Sequence, residues 1–265
     1  MTSTKHIASA ANPFYRTLLK LSRSGRERRK QAMTLLDGVH LVEAYLATGA
    51  KPLHAIVAES ARLWPEIAAV LRQLPAPIVL ADGLFESVTD LASPSGLLAV
   101  IAIPGAESFA ARGLWVLLED LQDPGNVGSI LRSCAAAGVS DVWLSPGCAD
   151  CWSPKVLRAA MGAHFSLRLH ERTDLVQAAL RCQGRVVALA PDAMRPIFEL
   201  DLSGPVALAF GNEGAGLSAA LCEVATDRAV IPMPGRAESL NVAAAAAICL
   251  FERVRQTAAA SCFGG

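Results

Sequence analysis

Three short segments, LWVLLED (114–120), RVVALA (185–190) and PVALAFG (205–211), constrain this chain more than any other feature. Each holds five apolar residues in a row. Such a run is too short for a helix with a buried face, and it lacks the polar alternation of a half-solvated strand. Strands of this kind are covered on both faces, which is the condition of a parallel sheet flanked by helices. Helical patterns fall between them, at 127–137 with Gly138 as a stop, at 153–162 and at 174–182. DVWLS (141–145) and RAVIPM (228–233) read as further strands, and the alanine-rich segment from Val242 onward as a closing buried helix. Strands and helices in alternation predict βαβ units and a mainly parallel sheet over 114–265.

The first hundred residues alternate as well: helix at 41–48, strand at 53–59, helix at 62–74, extended chain at 78–81 and 96–103. They predict a separate small α/β domain over 1–105. The breaker-rich PGAESFAARG (104–113) places a linker at 106–113. No apolar run approaches the roughly 18–20 residues that span a bilayer, so no membrane partner is expected. The formal net charge is zero, yet the first 30 residues hold eight Lys and Arg against the single acid Glu27. A basic arm on a neutral body suits a phosphate backbone, and equally a solvated helical terminus. The seven cysteines include one lone CxxC pair, Cys148 and Cys151. Without a second pair or nearby histidines at ligand spacing, no metal is expected, and the cysteines read as reduced thiols of a cytoplasmic protein.

Parallel sheets hold ligands at the carboxyl ends of their strands. Three polar, glycine-bearing stretches fall there, each just before a helix: EDLQDPGNVGSILR (119–132), GNEGAG (211–216) and PMPGRAESLN (232–241). Asn126 and Ser239 each have a plain reading as helix N-caps, and Arg132 as a solvated helix arginine. Glu213, flanked by glycines at a strand end, has little reason to be there for packing. The order Gly211-x-x-Gly214-x-Gly216 is not the dinucleotide fingerprint, no phosphate-binding GxxxxGK[ST] occurs, and no nucleophilic triad spacing is present. The residues by themselves lead to an α/β enzyme or binding protein with a site built from loops.

Together and in this order, the stretches closely resemble the three signature motifs of the SpoU–TrmH family of RNA ribose 2′-O-methyltransferases. DPGNVGSILRSCAAAG carries Asn126, Gly128, Arg132 and Gly138. AFGNEGAGLS carries Gly211, Glu213, Gly214 and Gly216. IPMPGRAESLNVAAAAAICLFERVRQ carries Ile231, Pro232, Ser239, Leu240 and Asn241. SPKVLRAAMGAHF (153–165) is similar to the helix between motifs one and two, and 12–46 to the family's small RNA-binding domain, with Asp37-Gly38 where glutamate-glycine is usual.

The resemblance implies a SPOUT-type knotted parallel-sheet domain (a trefoil knot) over 114–265 behind a small α/β RNA-binding domain, and a homodimer through the C-terminal helix. It implies S-adenosylmethionine as cofactor, framed by Gly211, Gly214, Ile231, Met233 and Leu240. Arg132 would be essential, whether as proton acceptor or by gripping phosphate and orienting the 2′-oxygen; an arginine stays protonated in proteins, which favours the second role. Asn126, Glu213, Ser239 and Asn241 would hold Arg132 and the ribose in register. RNA would meet Arg26, Arg28, Arg29, Lys155 and Arg158. Ribosomal RNA is the expected substrate, with transfer RNA or a non-catalytic RNA-binding or ribosome-assembly role as alternatives.

Overall fold

The computed structural model describes residues 5–105, 109 and 111–262. Residues 106–108 and 110 of the expected linker lie outside the described residues. The chain divides into two compact units, Met1–Gly105 with Trp152–Phe165, and Ala106–Cys151 with Ser166–Gly265.

In the first unit, β1 (His6–Ile7), β2 (Met33–Asp37), β3 (His54–Ala58), β4 (Ile78–Leu80) and β5 (Leu97–Ala102) form a sheet in the order β1-β4-β3-β5-β2. β5 runs antiparallel to both β2 and β3. Helix α1 (Pro13–Arg23) starts where Asn12 accepts the Phe14 N–H at 2.9 Å and Pro13 supplies a preset φ. Its apolar positions Tyr15, Leu18 and Leu21 are buried. α2 (Gly25–Gln31), α3 (Val39–Leu46), α4 (Pro65–Leu71) and α5 (Asp82–Val88) follow. The pattern at 62–74 predicted an earlier start for α4. Trp64, as the residue before proline, is extended at φ −62, ψ 131, and the helix waits for Pro65.

The second unit holds six parallel strands in the order β11-β9-β10-β6-β7-β8. They are β6 (Leu114–Leu118), β7 (Asp141–Leu144), β8 (Arg168–His170), β9 (Arg185–Leu189), β10 (Val206–Phe210) and β11 (Asp227–Ala229). All residues of β6 and β10 are buried, as their unbroken apolar runs require. The helices are α6 (Pro124–Ala136), α8 (Leu175–Arg181), α9 (Ala219–Val224) and α10 (Val242–Cys262). The last strand is shorter than RAVIPM suggested. After Ala229 only Val230 adds a bridge, to Pro196, and Pro232 and Pro234 have no N–H to extend the ladder. The remaining helix, α7 (Pro154–Ala160), belongs to the first unit although it follows β7 in sequence. It contacts β2, and the Thr34 hydroxyl donates to the Trp152 carbonyl at 2.6 Å in a buried position.

One charged group is fully enclosed in the second sheet. Asp141 opens β7 and takes two hydrogen bonds from Arg168, both 2.8 Å, and one contact with His170 Nε2 at 2.9 Å. Burial pushes its carboxyl up, but these partners outweigh burial and hold it below the usual carboxylate range. Asp141→Asn is expected to lower the unfolding free energy by about 2 kcal/mol at neutral pH, measured by urea denaturation. The wild type should lose this contribution as pH falls from about 4 through the depressed folded pKa. The variant should lack that limb.

Candidate functional site

Gly211 leaves β10 into a loop that could not form around any other residue. A Cβ there would lie 2.2 Å from the Gly216 carbonyl carbon. The loop closes by two main-chain bonds, Asn212 N–H to Gly216 O at 3.1 Å and Gly216 N–H to Asn212 O at 2.8 Å. Gly216 itself sits at φ +69, where glycine is favoured. This loop, the exits of β9 and β11, and the segment leading into α10 enclose a cavity of about 310 Å³. Leu189, Phe210, Ile231, Met233, Leu240 and Val242 give it apolar walls, and Gly211, Gly214, Gly216 and Ser239 also line it. It lies at the carboxyl ends of the strands, as the parallel topology requires.

Beside the cavity, three side chains from three distant parts of the sequence form a directed chain of hydrogen bonds. Asn241 Oδ1 accepts the Ala243 and Ala244 N–H groups at 2.9 and 3.3 Å, so Asn241 caps α10. Those donors fix which end of its amide faces the helix. Its Nδ2 therefore points away and donates to Asn126 Oδ1 at 2.9 Å. The Asn126 amide is oriented in turn, and its Nδ2 donates to a Glu213 carboxylate oxygen. Backbone N–H groups at one end thus decide that Glu213 is addressed by a donor at the other.

Two sequence readings are corrected here. Asn126 is not the N-cap of α6. Asp123 has that role, accepting the Asn126 N–H at 2.8 Å, and so leaves the Asn126 side chain available to Glu213 and Asn241. Ser239 is not the N-cap of α10 either, since Asn241 occupies that position and Ser239 lines the cavity. Arg132 is not in the cluster. It is exposed on α6, six residues and so about 240° around the helix from Asn126. Among the described residues it has no hydrogen-bond or ion-pair partner.

The residues expected to meet RNA divide by environment. Arg26, Arg29 and Lys155 are exposed. Arg28 is corrected: it is buried, and its guanidinium donates to the Leu21 and Ser22 carbonyls at 2.6 and 3.3 Å, satisfying the open end of α1. Arg158 is half-buried. Its guanidinium turns inward to lie 3.7 Å from Asp37 and 3.9 Å from Asp90. The buried Asp37 carboxylate also accepts hydroxyl hydrogens from Thr89 and Ser95 at 2.5 and 2.7 Å. The two thiols of the CxxC pair are raised in pKa by burial, Cys151 well above its ordinary value, and neither is an activated nucleophile.

Sequence reasoning passed over Asn212. Its side chain accepts the Gly214 and Ala215 N–H groups at 2.9 and 3.1 Å and donates to the Asp120 carbonyl at 2.9 Å. An asparagine two places before a glycine was the available signal, because that spacing permits a turn closed by the side chain.

A parallel sheet with a loop-built cavity at the carboxyl ends of its strands has the layout of an α/β protein that takes a small-molecule ligand there. Residues 113–251 match the family described as the SpoU rRNA Methylase family. An uncharacterized tRNA/rRNA methyltransferase of Synechocystis is 34% identical, over 96% of this chain and 95% of its own length. The 23S rRNA (guanosine(2553)-2′-O)-methyltransferase RlmP of Bacillus subtilis is 34% identical, over 93% of this chain and 98% of its own. The crystal structure of the SpoU methyltransferase AviRb from Streptomyces viridochromogenes, in complex with the cofactor AdoMet, superposes with a TM-score of 0.84 at 27% identity, covering 92% of this chain and 98% of that one. The chain belongs to the SpoU rRNA methylase family, and is an RNA methyltransferase whose methyl donor is S-adenosylmethionine.

Asn241→Ala removes a cap and is expected to cost about 1 kcal/mol of stability in urea unfolding. Asn241→Ser keeps a capping oxygen but cannot reach Asn126 with a donor. Stability near wild type with methyl transfer lost at least tenfold is the expected result, measured with tritiated S-adenosylmethionine on RNA.

Proposed function

We propose that this protein methylates a ribose 2′-hydroxyl of ribosomal RNA. The observation that carries the reading is the Asn241–Asn126–Glu213 chain standing against a cavity walled by Gly211, Gly214, Ile231, Met233 and Leu240. Those five residues frame the adenosyl part of the cofactor: the glycines admit close approach of the main chain, and the apolar side chains exclude water. When bound, S-adenosylmethionine supplies a methyl group activated on a sulfonium. Ser239, Asn126, Glu213 and Asn241 hold the ribose in line with that methyl, and the 2′-hydroxyl proton passes to solvent as its oxygen takes the methyl. Arg132, exposed and unpaired among the described residues, takes the phosphate next to the target ribose and directs the 2′-oxygen. The loops after β9, β10 and β11 are the segments a trefoil knot of the family type would thread. That ribosomal RNA is the substrate is supported by the name of the Bacillus subtilis relative and by the description of the family.

RNA binding falls to the surface of α1 and α2. Arg16, Lys20 and Arg23 are exposed at i, i+4 and i+7 of α1, so they share one face. Arg26, Arg29 and Lys30 are exposed on α2. Neutralising Arg26 and Arg29 together is expected to weaken RNA binding and to flatten its log–log salt dependence by roughly 1.5, read by filter binding from low to moderate salt. A slope equal to wild type returns these residues to plain solvation.

The protein also works as a homodimer through α10. Ala244, Ile248 and Phe251 are exposed at i, i+4 and i+7, with Phe251 48% accessible, and an apolar helical stripe of this kind suits an equivalent stripe on a second copy.

Arg132→Ala is expected to reduce methyl transfer by at least a hundredfold while S-adenosylhomocysteine affinity stays within about threefold. Comparison of 2′-O-methyl maps of ribosomal and transfer RNA from cells with and without the gene tests the whole reading. Loss of one ribosomal site establishes it; loss confined to transfer RNA reassigns the substrate.

A further inference from the structure

β6 ends at Leu118, and the next two residues each hold one end of the loop that follows β10. Glu119 takes the far end. Its carboxylate accepts the Ser218 N–H and the Ser218 hydroxyl, both at 2.7 Å. Asp120 takes the near end through its carbonyl oxygen, which accepts Asn212 Nδ2–H at 2.9 Å. Asp120 lies in the left-handed region at φ 54, where a residue with a Cβ is resisted. It is kept there by Ser145, which accepts its N–H at 2.9 Å and donates to its carboxylate at 2.5 Å. The turn beyond is shut against the same carboxylate, since a Cβ on Gly147 would lie 2.2 Å from Asp120 Oδ1. This exit is built to present a carbonyl in one fixed direction.

Asn212 joins that carbonyl to the loop. Its Oδ1 closes the turn by accepting two backbone N–H groups, so its Nδ2 has no choice but to face Asp120. Glu213 stands within the turn thus held, and Gly211, Gly214 and Gly216 on the same loop wall the cavity. We infer that Asn212, backed by Glu119 and Asp120, is a positioning residue of this enzyme. It acts through the loop, setting the cavity wall and the place of the Glu213 carboxylate together. The inference rests on the proposed function only for the role of Glu213.

Asn212→Asp separates the two jobs of the side chain. The acceptor for Gly214 and Ala215 remains, while the donor to Asp120 becomes an oxygen facing an oxygen. S-adenosylhomocysteine titrated calorimetrically into full-length wild type and N212D should bind about tenfold more weakly to the variant. The KM for S-adenosylmethionine should rise in proportion and kcat should fall by a smaller factor. Glu119→Gln, with one oxygen for two donors, should shift affinity the same way from a different element, and it answers for N212D if that variant folds poorly. Wild-type affinity in either folded variant overturns the inference. So does a loss that appears only alongside a matching fall in the melting temperature of the unliganded protein. Wild type that binds S-adenosylhomocysteine but leaves ribosomal RNA unmethylated overturns the proposed activity instead.

Discussion

The parallel pairing of β6 with β10, five residues in register from Val206 opposite Leu114 to Phe210 opposite Leu118, decides where everything else can go. Two strands aligned to their last residue deliver their exits side by side. Glu119 and Asp120 therefore arrive next to Gly211 and Asn212, although about 90 residues separate them. The register itself needs no polar code. Both strands are apolar on both faces, so each is stable only in the sheet interior, and helices on either side complete the burial. Once that is satisfied, the polar residues beyond the strand ends have nowhere to lie except against one another.

What those residues make is oriented rather than merely polar. Amide side chains have a donor end and an acceptor end, and a chain of them has a direction only if something fixes one end. Here the first N–H groups of α10 do so, through Asn241 and then Asn126, to the Glu213 carboxylate. A helix start is suited to this, because its N–H groups lack partners within the helix and carry partial positive charge. The apolar body of α10, with Ala246, Cys249 and Leu250 buried, anchors that start in place. Hence a polar cluster stands at the mouth of a helix that is otherwise so apolar.

The first unit shows the opposite lesson for charge. Arg26, Arg28 and Arg29 are neighbours in one basic run and equal in sequence. Only one turn of α2 separates two that face solvent from one whose guanidinium closes the carbonyls of α1. Arg158 is drawn in for a different reason: buried Asp37 needs a counter-charge, and two hydroxyl hydrogen bonds leave its charge uncompensated. Basic character of a segment thus does not tell which of its arginines face solvent and which are held inside.

The sequence by itself determined the parallel strands of the second unit and the three loops at their carboxyl ends, but it placed the helix at 153–162 in that unit, and the structure places it in the first. Five-residue apolar runs admit few solutions, and loops at their carboxyl ends converge in any parallel sheet. The family resemblance grouped Asn126, Glu213 and Asn241, and the structure joins the three side chains by hydrogen bonds. Tertiary structure decided their roles. Whether Asn126 caps a helix or turns to Glu213 depends on Asp123 lying three residues earlier in the right conformation, and whether Ser239 or Asn241 caps α10 depends on where the loop meets the first helical N–H. Asn212 gained its importance only because Asp120, far away in sequence, presents a carbonyl to it. A hydrogen bond needs two partners in a fixed geometry, and a linear pattern carries only one of them at a time.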